Sequence, residues 1–307
     1  MLTFVIRRLM ALIPVGLGVV ISISLLVHLV PGDPVDVIAG QFASEEEKVA
    51  LRTSMGLDRP VPEQIAHYVT GIFQGSLGES LLTRKPVLKM ITERFRPTME
   101  LAILSLIIAI LISLPLGILS AVKAGKPVDY IAMGFALAGI AVPTFWLGPM
   151  LVLVFSLELG WFPVSERTDL LSYVLPALTL GTALAAVLSR MTRNSMLDSL
   201  KEDFVRTARA KGNAERTVIL KHVLRNAALP LVTILGLQFG VLLTGTIITE
   251  RIFDWPGLGS LILEGISTRD YPVVQGCVLL FSATYLIVNM ITDIVYAIVD
   301  PRIKING

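Results

Sequence analysis

The sequence predicts an all-α membrane protein with six transmembrane helices. Of its 307 residues, 54% are hydrophobic and only 16% are charged, and the mean hydropathy is +0.75. A soluble globular chain carries about 25% charged residues. Six stretches are almost free of Asp, Glu, Lys and Arg, and each has the roughly 20 residues that a helix needs to cross a bilayer. This composition argues against a soluble enzyme, a disordered chain and a fibrous chain.

The predicted spans follow one another along the whole chain. The first comes after Arg7 and Arg8, as a signal sequence would, but its run of about 22 residues is too long for one and lacks a small-x-small cleavage site. We therefore expect an uncleaved first span. Buried core helices of a large soluble protein are the alternative, and six such stretches argue against it. The predicted spans are 9–30, 99–122, 130–157, 171–190, 229–250 and 273–299.

The distribution of Lys and Arg predicts that both termini are cytoplasmic. With the N-terminus inside, the inner segments carry 15 of these residues and the two short outer loops carry three. Nine of the 15 lie between Arg190 and Arg225. The eight cations of residues 32–98 are not counted, because long outer segments contribute little to the rule.

Residues 32–98, the 32–98 segment, are predicted to be helical and to lie outside. Ser44 before three glutamates is typical of a helix N-terminus, and Gly56 is typical of the end of that helix. Further short helices are predicted to begin at Pro62 and Pro86. Their apolar stripes suit packing onto the membrane bundle, and contact of the outward face with a partner is the open alternative.

Residues 191–228, the 191–228 segment, are predicted to form two short helices joined by a tight turn. Ser199–Glu202 matches a capping box, and apolar residues then recur every four positions. Gly212 suits a helix C′ position with positive φ, and Asn213 suits the N-cap of the next helix. A DNA-binding helix-turn-helix and a plain anchor loop are the alternatives. Close flanking spans argue against DNA, and two rigid helices favour docking onto a cytoplasmic partner.

The motifs of common enzymes are missing from the chain. It has no G-x-x-x-x-G-K-[ST] loop for ATP and no H-E-x-x-H, C-x-x-C or G-x-S-x-G motif. Cys277 is the single cysteine, and His28, His67 and His222 are divided between two sides of the predicted membrane. We expect no catalytic residue, no metal site and no cofactor on this chain.

Small residues recur every four positions in the fifth predicted span, at Gly236, Gly240 and Thr244. This spacing lets two helices approach closely. We expect this face to pack against another helix, either of this chain or of a partner permease.

Several short motifs occur in order along the chain. They are Pro31-Gly-Asp-Pro34, Thr207-Ala-Arg-Ala-Lys-Gly212, Lys221-His-Val-Leu-Arg-Asn-Ala227, Glu250 with Phe253-Asp-Trp-Pro-Gly-Leu-Gly259, and Arg269-Asp-Tyr-Pro-Val273. Together they resemble the first of the two permease subunits of ABC importers for dipeptides, oligopeptides, glutathione or nickel. Arg206 and Thr207 replace the Glu and Ala of the wider family's coupling signature and Arg225 replaces its Pro, departures that are usual in this branch.

The resemblance implies a type I ABC importer permease bundle in the inner (plasma) membrane of a prokaryote. Such a chain forms half of a translocation pathway for peptides, with glutathione or nickel complexes as alternative cargo. The implied partners are a second homologous permease, two P-loop ATPases that bind ATP and Mg, an extracytoplasmic substrate-binding protein and membrane lipid, without nucleic acid. An ion-coupled carrier and an intramembrane enzyme or scaffold are the competing classes, and both expect ionisable groups at mid-membrane depth that the spans lack.

The resemblance also assigns two sites. The 191–228 segment would be the coupling element seated on an ATPase, through Phe204, Arg206, Thr207, Ala208, Lys211, Gly212, Leu220 and Leu224. Residues 250–273 would form an outer gate or contact the binding protein, with a tight turn at Trp255–Gly257, through Glu250, Trp255, Pro256, Gly257, Arg269 and Asp270. The alternative is that these outer residues only cap the fifth span.

Overall fold

The computed structural model describes residues 2–29, 33–39 and 43–299, which form helices and no β-strand. The all-α prediction is confirmed for these residues. Pro31 and Gly32, and the side chains of His28 and Thr244, lie outside the described part of the chain. The α-helices are α1 (Leu2–Leu29), α2 (Pro34–Ala39), α3 (Glu45–Ser54), α4 (Val61–Phe73), α5 (Val87–Val122), α6 (Pro127–Ala141), α7 (Thr144–Leu151), α8 (Val174–Leu200), α9 (Asp203–Ala210), α10 (Glu215–Thr217), α11 (Leu224–Ile252), α12 (Leu258–Ser267) and α13 (Tyr271–Val299).

Shorter helical turns extend three of these helices. A 3₁₀ turn, Leu171–Tyr173, leads into α8. A π-helical stretch, Val152–Glu158, continues α7, and a second one, Val218–Val223, joins α10 to α11.

Four helical stretches of the described chain are long and apolar enough to cross a membrane, or five if one bent pair counts as a span. They overlap the predicted second, fourth, fifth and sixth spans. The predicted first span falls in α1, where the described side chains give the shorter apolar stretch Ile13–Leu25. The four stretches are Val87–Val122, Leu171–Leu200, Glu215–Leu243 and Tyr271–Thr292.

The predicted third span, 130–157, is two helices that meet at 102°. α6 ends at Ala141, and Pro143 stands between it and α7. A proline disfavours the α conformation in the residue before it, and Val142 is extended with a ψ of 117°. The proline therefore breaks what the apolar run alone predicts to be one tilted helix.

The helix predicted to begin at Pro86 and the second predicted span form one helix, α5, of 36 residues. Pro86 precedes this helix, as expected. The predicted boundary between residues 98 and 99 therefore falls inside α5, which continues through Pro97. A proline is tolerated inside a membrane helix where neighbouring groups satisfy the freed carbonyl.

The chain forms two compact units, and the first comprises Met1–Thr98 and Pro256–Ile287. In it α1 packs against α4, and α2 packs against α3. The predicted N-terminus at Ser44 is confirmed as a capping box, because its hydroxyl accepts from Glu47 N and the Glu47 carboxylate accepts from Ser44 N. Gly56 ends α3 with a φ of +66°, as expected.

The second unit comprises Met99–Trp255 and Val288–Gly307. Its central helix is α8, which packs against α6, α7 and α11. In the stretch that contains α8, 61% of the apolar window is buried, against at most 39% in the other three stretches. The 191–228 segment connects α8 to α11, so it is attached at both ends to the core of this unit.

Candidate functional site

α9 in the 191–228 segment ends in hydrogen bonds typical of a glycine C-cap. Gly212 has a φ of +75°. Its N–H donates to Arg209 O over 2.9 Å, and Asn213 N donates to Ala208 O over 3.4 Å. The two bonds form a Schellman motif, whose C′ residue adopts a left-handed conformation. Gly212 therefore occupies the positive-φ position for which the sequence suits it.

The two side-chain caps predicted for this segment are wrong. Ser199 lies inside the last turn of α8, and Glu202 at the start of α9 makes no side-chain cap. The Asn213 amide donates to Ala208 O over 3.0 Å, so it caps the end of α9 instead of the start of α10. α9 begins later in the chain than predicted, because the apolar face of α8 stays packed as far as Met196, which is fully buried.

An apolar cluster holds α9 against the ends of three long helices. Its members come from α5, α8, α9, the π-helical stretch and α11, and they are Ala121, Met196, Val205, Ala208, Val218, Val223 and Ala227. Phe204 and Leu224 pack against the cluster and are half-buried. Burial of apolar surface stabilises the folded state by about 25 cal/mol per Å². The separation of α9 from this face would therefore lower the stability of the protein substantially. A displacement of α9 therefore displaces the helix ends as well.

Arg209 and Glu215 form an ion pair that bridges α9 and α10 across the glycine turn. Nη2 lies 2.6 Å from Oε1, and Nε lies 3.1 Å from Oε2. Two parallel hydrogen bonds fix the relative orientation of the groups. The hydrogen bonds that Arg209 donates to Glu215 raise the pKa of Arg209 above its ordinary value. This pair was not predicted from the sequence, and the signal for it was the presence of opposite charges on either side of a glycine turn.

The outward face of the 191–228 segment is exposed. Arg206 forms only a long ion pair with Asp203, at 3.9 Å, and 84% of its side chain is accessible. The predicted contact residues thus separate into Phe204, Ala208 and Leu224, which support the segment from within, and an exposed group. The exposed group consists of Arg206, Thr207, Lys211, Gly212 and Leu220.

A buried ion pair lies close to this segment in the chain and was not found from the sequence. Asp129 of α6 accepts from Arg193 Nε and Nη2, each over 2.7 Å. The Ser120 hydroxyl and Gly125 N also donate to this carboxylate. The pair joins α5, α6 and α8 one helical turn before Met196. The signal was Asp129 itself, the single acid among residues 101–157.

The residues after α11 form a second Schellman-type turn. Trp255 N donates to Glu250 O over 2.7 Å, and Asp254 has a φ of +48°. The tight turn expected at Trp255–Gly257 lies at Phe253–Asp254 instead, because Asp254 adopts a left-handed conformation, which glycine adopts more readily than other residues. Gly257 is extended and precedes α12.

Trp255 and its neighbours are largely buried. The Trp255 ring is 1% exposed and meets Tyr173 edge-on, with centroids 4.7 Å apart and planes at 78°. Glu250 and Gly257 are buried and Pro256 is half-buried. In this conformation, the buried residues offer no surface to a docking partner.

Arg269 and Asp270 close α12 in the first unit. Arg269 has a φ of +56°, and Asp270 N donates to Gly265 O over 2.8 Å. The Asp270 carboxylate accepts from the Ser80 hydroxyl and from Leu81 N. It therefore fixes the loop of residues 76–86 to the start of α13. Arg269 is half-buried, and Ser80 had no distinguishing signal in the sequence.

The small residues of the fifth predicted span lie on α11, and Gly236 is in close contact with α13. A Cβ added at Gly236 would overlap the side chain of Thr292. Gly240 is also buried, and the side chain of Thr244 lies outside the described residues. At Gly236 the neighbouring helix belongs to this chain and not to a partner.

Metal and thiol chemistry have no candidate site in the described ranges. No three His, Cys, Asp or Glu side chains there come together in a way that could hold a metal ion. Cys277, the single cysteine of the chain, is fully buried.

Two family models match the chain in succession. Residues 1–102 match the N-terminal region of binding-protein-dependent transport system membrane components. Residues 113–305 match the binding-protein-dependent transport system inner membrane component. Together the two matches cover the chain except for residues 103–112, which lie within α5, and residues 306–307.

Similar proteins agree with these matches. The glutathione transport system permease protein GsiC of Salmonella typhimurium and that of Pectobacterium atrosepticum are each 46% identical to this chain over 304 residues, which is 99% of both chains. GsiC of Escherichia coli K12 is 45% identical over the same length.

Solved structures show the same fold at low identity. An inward-facing MetNI methionine ABC transporter is 16% identical, with a TM-score of 0.59 over 69% of this chain and 97% of that one. An amino acid ABC transporter solved with histidines is 15% identical, with a TM-score of 0.51 over 70% and 95%. The chain belongs to the inner membrane components of binding-protein-dependent transport systems, as an ABC importer permease subunit of the peptide, nickel and glutathione branch.

Proposed function

We propose that this permease imports small peptides, with glutathione as the first cargo to test. Glutathione is itself a tripeptide, so it falls within the peptide class that the motifs imply. Identity of 45–46% across essentially the full length of permeases named for glutathione supports the same chemical class of cargo. Dipeptides, longer peptides and nickel complexes are the alternatives that the same test distinguishes.

The proposed assembly contains a second homologous permease, two ATPases and a substrate-binding protein outside the membrane. This chain carries no P-loop, so the energy of ATP hydrolysis must be supplied by other subunits that bind ATP and Mg. Both termini and the 191–228 segment are proposed to be cytoplasmic, since 15 of the counted cations then lie inside.

The 191–228 segment is the proposed contact with an ATPase. The observation that supports it most strongly is the pairing of an exposed cationic face, Arg206 to Lys211, with a buried face that packs on the ends of α5, α8 and α11. A push on the exposed face is then transmitted to three long helices at once. A plain anchor loop would need no such packing.

Residues 250–273 are the proposed outer gate. Trp255 wedged against Tyr173 supports a closed gate better than a docking surface, because its ring is already buried. Arg269 and Pro256 are half-buried and remain the candidates for contact with the binding protein.

Purification from native membranes tests the assembly. The tagged chain, extracted in mild detergent after crosslinking, is expected to bring with it a second permease and P-loop ATPases identified by mass spectrometry. The purified complex in vesicles, with its binding protein, is then expected to accumulate labelled glutathione when ATP is present. A chain that elutes alone after crosslinking would overturn the assembly, and uptake of nickel complexes without any peptide would overturn the cargo.

Substitution of Gly212 tests the coupling role. Gly212→Val forces a β-branched residue to a φ of +75°, where nothing lies within 4 Å of the new Cβ, so the effect is on backbone conformation and not on packing. ATPase activity stimulated by the binding protein is expected to fall severalfold. Gly75→Val is the matched control, because Gly75 ends α4 with a φ of +80° and equally open surroundings. Equal activity in the two variants would contradict the assignment.

A further inference from the structure

A cavity of about 490 Å³ opens in the first unit, and none of the roles above assigns it a ligand. It lies among α3, α4 and the loop of residues 76–86, with the start of α13 also in its wall, and is called here the α3–α4 cavity. Pockets for small ligands measure roughly 300–1,000 Å³. The α3–α4 cavity therefore has room for a molecule of the size of a di- or tripeptide.

Two guanidinium groups line the α3–α4 cavity without a counter-ion. Neither Arg59 nor Arg84 forms an ion pair within residues 2–29, 33–39 and 43–299. By contrast, Arg52 of α3 pairs with Asp33. His67 adds a third nitrogen-bearing side chain, and Glu79 is the single acid among the described residues of the lining. The cavity thus has an excess of positive charge that a ligand could neutralise.

Arg84 is held at the cavity in a conformation that L-residues rarely adopt. Its φ is +58°, and its N–H donates to Ser80 O over 3.0 Å. Ser80 in turn donates its hydroxyl to the buried Asp270 carboxylate. Unusual backbone conformations of this kind persist where the surroundings over-determine them, and they cluster at functional sites. The loop therefore presents Arg84 from a fixed support.

The lining also provides acceptors. Gln64 donates its amide N–H to Arg59 O over 2.8 Å, and Gln275 donates its own to Ser24 Oγ over 2.9 Å. Each amide then keeps a carbonyl oxygen to accept from a ligand. With the Glu79 carboxylate, these oxygens suit ammonium and peptide N–H groups, while the two arginines suit carboxylates, which guanidinium groups bind through two parallel hydrogen bonds.

We propose that the α3–α4 cavity binds a small anionic peptide, with its carboxylates on Arg59 and Arg84 and its N–H groups toward Glu79, Gln64 and Gln275. The site is additional to the one on the substrate-binding protein, and the choice of a peptide as ligand rests on the proposed function. An acidic side chain of the binding protein would use the same chemistry, but a concave space of this volume favours a whole small molecule.

Direct binding to the full-length chain in detergent tests the site. The probes are glutathione and alanyl-glutamate, measured by calorimetry, and the comparison ligand is the diethyl ester of glutathione, which lacks both carboxylate charges. The variants are Arg59→Gln, Arg84→Gln and the double substitution. Lys85→Gln is the matched control, since this cation adjoins Arg84 in sequence but does not line the cavity. Melting temperatures establish that every variant is folded.

Saturable binding of at least one peptide probe is expected in the wild type, with little binding of the diester. Each arginine substitution is expected to weaken affinity about 10- to 100-fold, as the loss of a charge-assisted hydrogen bond does, and Lys85→Gln is expected to leave it within twofold. Absence of saturable binding for both peptides at millimolar concentration would overturn the proposal. Variants that bind the peptides like wild type but lose affinity for the binding protein would also overturn it and identify a protein docking site.

These outcomes are independent of the proposed function. A complex that assembles and transports peptide around a permease with no affinity of its own refutes the cavity alone. A chain that binds peptide but purifies without ATPases refutes the importer assembly alone.

Discussion

Two pairs of Asp and Arg side chains in the second unit differ in burial, and their contributions to stability should differ accordingly. The Asp129 carboxylate is 4% exposed and receives two bonds from Arg193. The Asp203–Arg206 pair is exposed on both sides and 3.9 Å long. The first pair should therefore contribute to the stability of the fold, whereas the second is a surface contact.

Asp129→Asn should destabilise the protein by about 3 kcal/mol, because it leaves the guanidinium of Arg193 without its anion. Arg206→Gln should cost less than about 0.5 kcal/mol, as exposed pairs do. Thermal unfolding in detergent measures both. The double variant Asp129→Asn with Arg193→Met should recover part of the stability that Asp129→Asn loses. This explanation would be contradicted if adding Arg193→Met lowered the stability again by as much as Asp129→Asn alone.

Two tyrosine hydroxyls, the buried one of Tyr68 and the partly buried one of Tyr173, lead to opposite expectations for stability. The Tyr68 hydroxyl has no hydrogen-bond partner in the described residues, and burial raises the pKa of this phenol, so it stays neutral. Tyr173 donates to Glu100 over 2.7 Å and accepts from Arg167. The same substitution, Tyr to Phe, therefore removes an uncompensated polar atom in one case and two hydrogen bonds in the other.

Tyr68→Phe should raise the stability of the chain by about 1 kcal/mol, since no hydrogen bond offsets the cost of desolvating the Tyr68 hydroxyl in the folded state. Tyr173→Phe should lower it by about 1.5–3 kcal/mol, the range for hydrogen bonds to charged groups. The comparison of melting temperatures is direct, because both variants remove one oxygen. A stabilising Tyr173→Phe would refute the assignment.

At some positions the local sequence did not predict the observed conformation. Ser44 and Ser199 carry the same capping signature, but only Ser44 forms the capping box. The difference lies in tertiary packing, because the buried face of α8 extends the helix past Ser199. Similarly, Asp254 and Arg269 adopt left-handed conformations that are typical of glycine, so the residue types at these positions did not indicate the turns.

At the scale of helices, the contact between α11 and α13 depends on the absence of a side chain at Gly236. A Cβ there would overlap Thr292, whereas a Cβ at Gly134 of α6 would meet nothing within 4 Å. The two glycines lie in apolar helices but differ in what faces them, which makes them a matched pair.

Gly236→Ala should destabilise the protein by about 1–3 kcal/mol, the usual cost of overpacking. Gly134→Ala should be neutral or stabilising by up to about 1 kcal/mol, because alanine is the better helix former. Unfolding in detergent distinguishes the two, and Thr292→Gly should restore part of the stability of Gly236→Ala. Equal effects at both positions would show that the close contact does not matter.

The presence of helices was easier to predict from the sequence than the residues at which they end. The apolar runs gave helices at all six predicted spans, since length and composition alone define them. The break in the third run and the fusion of the Pro86 helix with the second span both depend on a proline, Pro143 or Pro97. Neighbouring groups determine whether a proline breaks a membrane helix or is absorbed in it, and those neighbours are not adjacent in sequence.

For the molecule as a whole, the orientation in the membrane can be read from cysteine labelling. Cys277 is the single cysteine and is fully buried, so the wild-type chain should not react with a membrane-impermeant maleimide. Lys85 and Lys211 are exposed, the first in the 32–98 segment and the second in the 191–228 segment. Each can be replaced by cysteine on this unreactive background.

Lys85→Cys should be labelled in intact spheroplasts, and Lys211→Cys only in inverted vesicles, because the charge distribution predicts that the 191–228 segment lies inside. Detergent-solubilised protein should label at both positions, which controls for reactivity. Labelling of Lys211→Cys from outside would reverse the proposed orientation and remove the ATPase contact with it.

The family was predictable from the sequence because its motifs are short and occur in order along the whole chain. The long-range pairs were not. Asp129 with Arg193 and Asp270 with Ser80 are separated by 64 and 190 residues, and no periodicity in one chain relates such positions. The α3–α4 cavity has the same origin, since its arginines carry no signature until the fold brings them together.

The apolar cluster beneath α9 also has a consequence for biosynthesis. Its members run from Ala121 to Ala227, so the buried face of α9 is incomplete until the start of α11 has left the ribosome and met the end of α5. Before that point, Val205 and Ala208 have no partners from α11. A nascent permease thus cannot present a finished 191–228 segment, and the proposed ATPase contact is complete only on a chain whose later helices are already in place.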